Sequence, residues 1–248
     1  MSLTQLFQRP APAGEAHDDH THRDVKGGAA RAAVFGVSDG LVSNVSLILG
    51  VAGASPAPGV VRLAGLAGLL AGACSMAAGE YISVQAQREL LERELEMERR
   101  ELELRPEMER RELAGIFRSR GVDAAVADEV ASQLSADPAS ALLAHAREEL
   151  GIDPDELGSP WRASASSFGS FTLGALIPLV PWLVSRGTSA VVASVVLSTI
   201  AALLVGVLLA RFTGRSVLGS SLRQLAVAAG AAAVTVAAGA LLGVSGTV

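Results

Sequence analysis

One cysteine, one lysine and no apolar leader limit what this chain can be. Cys74 alone makes an intrachain disulfide impossible and leaves the redox compartment open. It lies inside an apolar run, where a small packing residue is the expected role rather than a metal ligand. Residues 1–28 have no signal-peptide core; their His17-Asp-Asp-His-Thr-His22 tract is a metal-binding motif or a polar tail. Positive charge is missing where nucleic acid would need it. Between Gln85 and Pro160 there are 19 acidic residues against 10 arginines, a balance of −9, while the whole chain carries −5. The remainder therefore sums to +4, from −5 minus −9. An acidic segment of this strength argues against nucleic acid, whose phosphates need positive charge, and suits cations. Enzyme constellations are absent too: no Ser/His/Asp set, no phosphate loop and no Cys/His zinc spacing. His145 with Glu148 and Glu149 reads His-x-x-Glu, the reverse of the Glu-x-x-His found in di-iron bundles.

What is present is apolar length. Half of the residues are hydrophobic and the mean hydropathy is +0.42. Five stretches are long enough to cross a bilayer as helices: residues 29–54, 60–84, 162–186, 188–210 and 224–248. The turn at 55–59 makes the first pair a hairpin, and Ser185-Arg186-Gly187 does the same for the third and fourth. Arg23, Lys26 and Arg31 precede the first span, and Arg211, Arg215 and Arg223 join the last two. The other side has only Arg62 and Arg186, so the N-terminus and the acidic segment are expected in the cytosol and the C-terminus across the membrane. Glycines recur near helical spacing, which lets membrane helices approach closely. Pro178 and Pro181 are expected to bend the third span.

The expected fold class is all-α, with four parts. Residues 1–28 form an N-terminal cytosolic tail and 29–84 the first two spans. Residues 85–160 form a cytosolic Glu-rich helical domain, and 161–248 the last three spans. The second span should run on into the cytosol as far as Arg105-Pro106, because proline disfavours helix in the residue before it. Along Arg88–Phe117, Leu90, Met97, Leu104 and Met108 recur at seven or four and give an expected packing stripe. Two shorter helices follow, about Asp123–Leu134 and Ser140–Leu150.

Asp39 is the sharpest single residue, an acid roughly ten residues inside the first span. There it costs several kcal/mol unless it faces a cavity or a partner. Asp39, Ser43, Ser46, Gly50 and Gly53 share a helical stripe that can line a pathway; a structural or wet acid is the alternative. Met76 and Glu80 sit one turn apart on the second span, a thioether that favours softer transition metals beside a carboxylate that takes any hard cation. In the acidic segment, Glu89–Arg93, Glu96–Arg100 and Glu107–Arg111 are spaced as i,i+4 ion pairs. Glu98 and Glu101 share one face before Pro106, and Glu109 and Glu112 repeat the spacing after it. If the chain folds back there, four carboxylates converge and repel unless cations bind. Otherwise they are a solvated face.

These residues carry a resemblance. Val34–Ser43 (VFGVSDGLVS), Ser75–Ser83 (SMAAGEYIS) and Gly174–Pro181 (GALIPLVP) are similar to the vacuolar iron transporter family, which includes the yeast-type calcium-sensitivity-complementing transporters. The likeness runs from about His22 to the end. It implies a homodimer of five-span protomers that exchange cytosolic Fe²⁺, often Mn²⁺ as well, for protons across a lipid membrane, with no permanently bound cofactor. It also implies that the pathway lies at the dimer interface between the first two spans. Asp39 and Met76 match its pathway ligands, Glu80 its second-span acid, and Ser43 lies in the first-span motif. Glu98, Glu101, Glu109, Glu112 and Glu149 stand where the family has a cytosolic metal-binding domain. His145 and Ala146 occupy a stretch where the family offers methionine, so His145 offers nitrogen instead. The alternatives are a manganese-selective exporter and a membrane-anchored scaffold whose charged helices bind proteins. The Arg-over-Lys, Ala-rich composition points to a bacterial plasma membrane.

Overall fold

The computed structural model describes residues 28–54, 57–154 and 157–243, so the His17–His22 tract lies outside the described residues. Its elements are α1 (Gly28–Gly53), α2 (Pro58–Leu104), α3 (Pro106–Ser119), α4 (Ala124–Leu134), α5 (Pro138–Glu148), α6 (Pro160–Val184), α7 (Gly187–Thr213) and α8 (Val217–Gly243). There is no strand among the described residues. Helices α1, α2, α6, α7 and α8 are long and apolar enough to cross a membrane.

Local chemistry sets the boundaries. Pro58, Pro106, Pro138 and Pro160 open their helices, where the missing N–H has no partner to lose. Asp123 and Asp137 cap α4 and α5 by accepting from Ala125 N and Ser140 N. Gly214, at φ 66°, ends α7 in the left-handed region. The join between α2 and α3 is Arg105 alone, held out of the helical region at φ −138°, ψ 49° because Pro106 follows it. The short helices therefore begin as Ala124 and Pro138, the second two residues earlier than expected, because Asp137 caps it. The last long helix starts at Val217 rather than Gln224, and residues 244–248 lie outside the described set.

Helix α1 is the centre of the membrane layer, with α6 and α8 packed along it and α2 against α6. The α1–α6 crossing brings backbones together. A Cβ on Gly174 would strike the Val37 carbonyl and the Leu41 N–H, and one on Gly40 would strike the Phe171 carbonyl. Ile48, Leu69, Phe171, Leu179 and Trp182 fill the core between these helices. Helix α6 stays helical through Pro178 and Pro181, and Ser194 Oγ donates to the Pro178 carbonyl at 2.6 Å. Thr235 on α8 donates to the Ser46 carbonyl at 2.7 Å.

Two expectations fail on packing. Leu90, Met97 and Leu104 on α2 and Met108 on α3 are exposed in the single chain, whereas Glu98, about 100° round α2 from Met97, is the residue buried. Cys74 is exposed in the single chain rather than packed as expected. In the bundle, α3 and α4 close on a small core of Leu113, Ala114 and Ala131, with Phe117, Leu134 and Ala144 at its edge.

Candidate functional site

Two polar sites lie on α2, one in its apolar half and one near its far end. The first is a cavity of 310 Å³ in the angle between α1 and α2. Helix α1 contributes Asp39, Ser43, Asn44 and Leu47; α2 contributes Gly68, Gly72, Ser75 and Met76; Phe171 of α6 closes it. Ser43 Oγ donates to Asp39 Oδ1 at 2.9 Å, one turn along α1. The neighbouring Ser38 is turned the other way, accepting from Gln224 Nε2 on α8 at 2.6 Å. Gly72 leaves room for the Phe171 ring, which a Cβ there would overlap. Asp39, Ser43 and Met76 thus share one cavity, with a carboxylate, a hydroxyl and a thioether facing it.

The expected polar stripe on α1 is not one surface. Asp39 and Ser43 face the cavity, but Ser46 is buried, and Gly50 and Gly53 meet Thr235 and Val236 of α8, which crosses that end. Glu80, one turn beyond Met76, is not among the cavity residues. Near it Tyr81 and Trp161 pack as a tilted pair, 58° between ring planes with centroids 4.9 Å apart, tying α2 to the start of α6. Asn44 was missed from sequence. Five residues after Asp39, it points about 140° away on a helical wheel, and only the third wall supplied by α6 brings both to one cavity.

The second site joins α2, α3 and α5. Ligand atoms of Glu98, Glu109, His145 and Glu149 all lie within 4.8 Å of one another. His145 is fully buried, and its Nδ1 is 3.0 Å from Glu98 Oε1 and 3.1 Å from Glu149 Oε2. The contact with Glu98 has the distance of a hydrogen bond but not its angles, and that oxygen and His145 Nε2 are buried without hydrogen-bond partners among the described residues. The fold-back at Pro106 brings Glu98 and Glu109 together, as the sequence pattern requires of a converging site. Glu101 and Glu112 remain exposed at the rim. Glu148 is engaged elsewhere, with Arg120.

The electrostatics are those of crowded acids. Burial, then the Glu149 charge, pushes the Glu98 carboxyl up to about 7; nearby His145 opposes them, while Glu109 and Glu101 add to the rise. Glu109 is raised by burial and then by Glu112, again opposed by His145. Three carboxylates and an imidazole form a hard-to-borderline donor set that accepts Mn²⁺, Fe²⁺, Co²⁺ or Zn²⁺. Elsewhere the acidic helices are a solvated face: Arg88 pairs with Glu92, Arg99 and Arg100 with Glu96. Two of the expected pairs differ. Glu107 takes its hydrogen bond from Arg110, three residues on, rather than Arg111, and Glu89 accepts from Gln85.

Residues 30–240 match the VIT family. The chain is 34% identical over 221 residues to "Vacuolar iron transporter 1" of Arabidopsis thaliana, covering 87% of each protein. It is 41% identical over 167 residues to the "Vacuolar iron transporter" of Acanthamoeba castellanii, with 66% of this chain and 60% of that protein covered. A shorter stretch of 67 residues, 27% of this chain and 31% of the relative, is 58% identical to "Vacuolar iron transporter homolog 4" of Oryza sativa subsp. japonica. The match extends across all five long helices and the bundle between them. This chain belongs to the VIT family, whose members are integral membrane transporters and not enzymes.

Proposed function

We propose that this chain exports or sequesters cytosolic Fe²⁺, with Mn²⁺ as a second substrate, in exchange for protons. The bundle collects the ion and the α1–α2 cavity passes it across. One observation carries the reading: a single unbroken helix holds both sites. Met76 faces the cavity and Glu98 the four-residue cluster, about 33 Å apart at 1.5 Å per residue. The metal ligands are Glu98, Glu109, His145 and Glu149, with Glu101 and Glu112 as an acidic rim that draws cations in. Asp39, Ser43 and Met76 are the pathway residues, and Glu80 is the acid at its cytosolic mouth. The relatives' names, vacuolar iron transporters, support iron as the substrate.

Proton exchange follows from the ligands. A carboxylate that must be deprotonated to bind metal ties the two movements together. The chain works as a homodimer, with the cavity facing the partner copy. The exposed Leu90, Met97, Leu104 and Met108 stripe is an apolar surface that a second copy would cover. The arginine distribution supports a cytosolic N-terminus and bundle, and the Tyr81–Trp161 pair supports a membrane boundary near residue 84. A bacterial plasma membrane rests on composition alone, and the relatives, from plants and an amoeba and named as vacuolar, lend it no support.

A manganese-selective exporter is the second reading, favoured by the lack of any sulfur ligand among the four cluster residues. Purified protein in liposomes, loaded with a metal-sensitive dye and a pH dye, tests both. Fe²⁺ and Mn²⁺ uptake with opposing proton movement is expected. Uptake of Mn²⁺ alone would select the second reading, and no uptake of any divalent ion would leave a membrane-anchored scaffold.

A further inference from the structure

The α1–α2 cavity contains a buried acceptor that the pathway reading leaves unused. Asn44 is 1% exposed, and its Nδ2 donates to the Ala175 carbonyl of α6 at 2.7 Å. That bond fixes the amide's orientation, because the opposite rotamer would set oxygen against oxygen. Oδ1 is therefore the atom left over, and it is buried with no hydrogen-bond partner among the described residues. A buried amide oxygen without a partner has given up its hydration with nothing in return. Asn44 lines the same cavity as Asp39, Ser43 and Met76. On the α2 side the space before Oδ1 is kept open by Gly68, where an added Cβ would stand 3.1 Å from Oδ1.

We propose that Asn44 is an ion-binding residue of this cavity, offering Oδ1 as an uncharged hard ligand to a partly dehydrated divalent cation held by Asp39. The inference rests on the reading of the cavity as the pathway. The chemistry suits transit. Amide oxygens coordinate hard cations as backbone carbonyls do. Asn44 also adds no charge, so the ion meets a single carboxylate, is held less tightly than by two, and can leave. An amide has no proton to exchange in the working pH range, so Asn44 sets affinity and ion preference while coupling stays with Asp39. With Met76 opposite, the cavity presents hard donors on α1 and a soft one on α2. Removing the amide oxygen should therefore penalise Mn²⁺ more than Co²⁺ or Zn²⁺.

The test uses the full-length protein in liposomes, with initial rates against Mn²⁺, Co²⁺ and Zn²⁺ concentration. Asn44→Ala should raise KM for Mn²⁺ about tenfold, raise that for Zn²⁺ less, and change kcat little. Gly68→Ala tests the same oxygen without touching the Asn44–Ala175 bond. Its methyl group stands before Oδ1, and the other near atom, a Leu47 methyl, ends a flexible side chain. It should shift KM in the same direction, and it decides the matter alone if Asn44→Ala does not fold. Parent KM values and parent ion ranking in the folded variants, beside an inactive Asp39→Asn, would overturn the role of Asn44 and leave the pathway standing. Parent transport by Asp39→Asn would remove the pathway reading itself.

Discussion

The two acidic sites use carboxylates in opposite ways. In the bundle, Glu98 and Glu109 are buried beside each other and beside His145, and burial first, then the neighbouring acids, favours the protonated form. In the α1–α2 cavity Asp39 is the lone acid, hydrogen-bonded to Ser43 in a lining otherwise made of neutral residues. A crowded site holds a cation well because the ion relieves repulsion. A lone carboxylate with neutral neighbours binds more weakly and releases more easily. On the proposed reading α2 serves capture at one end through Glu98 and passage at the other through Met76, while the single acid of the passage site, Asp39, comes from α1.

The largest effect that would break this contrast is at Asp39. Asp39→Asn keeps the shape and the Ser43 contact but loses the charge and the proton, and liposome flux should fall at least about a hundredfold, equivalent to roughly 3 kcal/mol. Metal binding by the bundle should be unchanged. Next is Glu98→Gln with Glu109→Gln. High-affinity binding should be lost, flux at low metal should fall about tenfold, and flux at saturating metal should stay within about twofold, read from KM against kcat.

A pH series sharpens the difference. Binding at the bundle needs Glu98 deprotonated, so below about pH 7 its metal affinity should drop by up to about tenfold per unit, with a proton released on binding. The metal-free bundle should show the opposite trend. Glu98 in the fold keeps its proton above the ordinary value of 4.5, where the unfolded chain has lost it, so stability falls as pH rises from 4.5 through about 7. Thermal melts with chelator at pH 5 and pH 8 check the sign. The smallest expected effect is His145→Met, which exchanges a borderline nitrogen for a soft sulfur. Mn²⁺ affinity should fall severalfold while Co²⁺ changes less, measured by competition titration.

Much of this contrast was readable from residues. The five apolar runs, the break at Arg105-Pro106 and the acidic segment are one-dimensional signals, and the helices follow them. Asp39 and Met76 could be paired because the resemblance put both in pathway motifs. What was not readable is which face each helix turns inward. Leu90, Met97, Leu104 and Met108 look like a packing stripe, yet Glu98 is the residue buried, because His145 comes from a helix 40 residues further along. Glu101 and Glu112 have the same spacing as Glu98 and Glu109, and only the docking of α5 separates the buried pair from the exposed one. Asn44 was hidden for a similar reason: its partner, Ala175, is 131 residues away, and no local pattern predicts that bond.

The most direct test of a capture site and a separate passage site is to measure binding and flux together on the full-length protein. Mn²⁺ titration calorimetry and liposome uptake would be run on the parent, Asp39→Asn and Glu98→Gln/Glu109→Gln. The account predicts a crossed result. Asp39→Asn binds like the parent and does not transport, whereas the double variant loses tight binding and still transports when metal is abundant. If both variants lose both properties together, or if Asp39→Asn carries metal at the parent rate, the division of labour between the two sites is wrong.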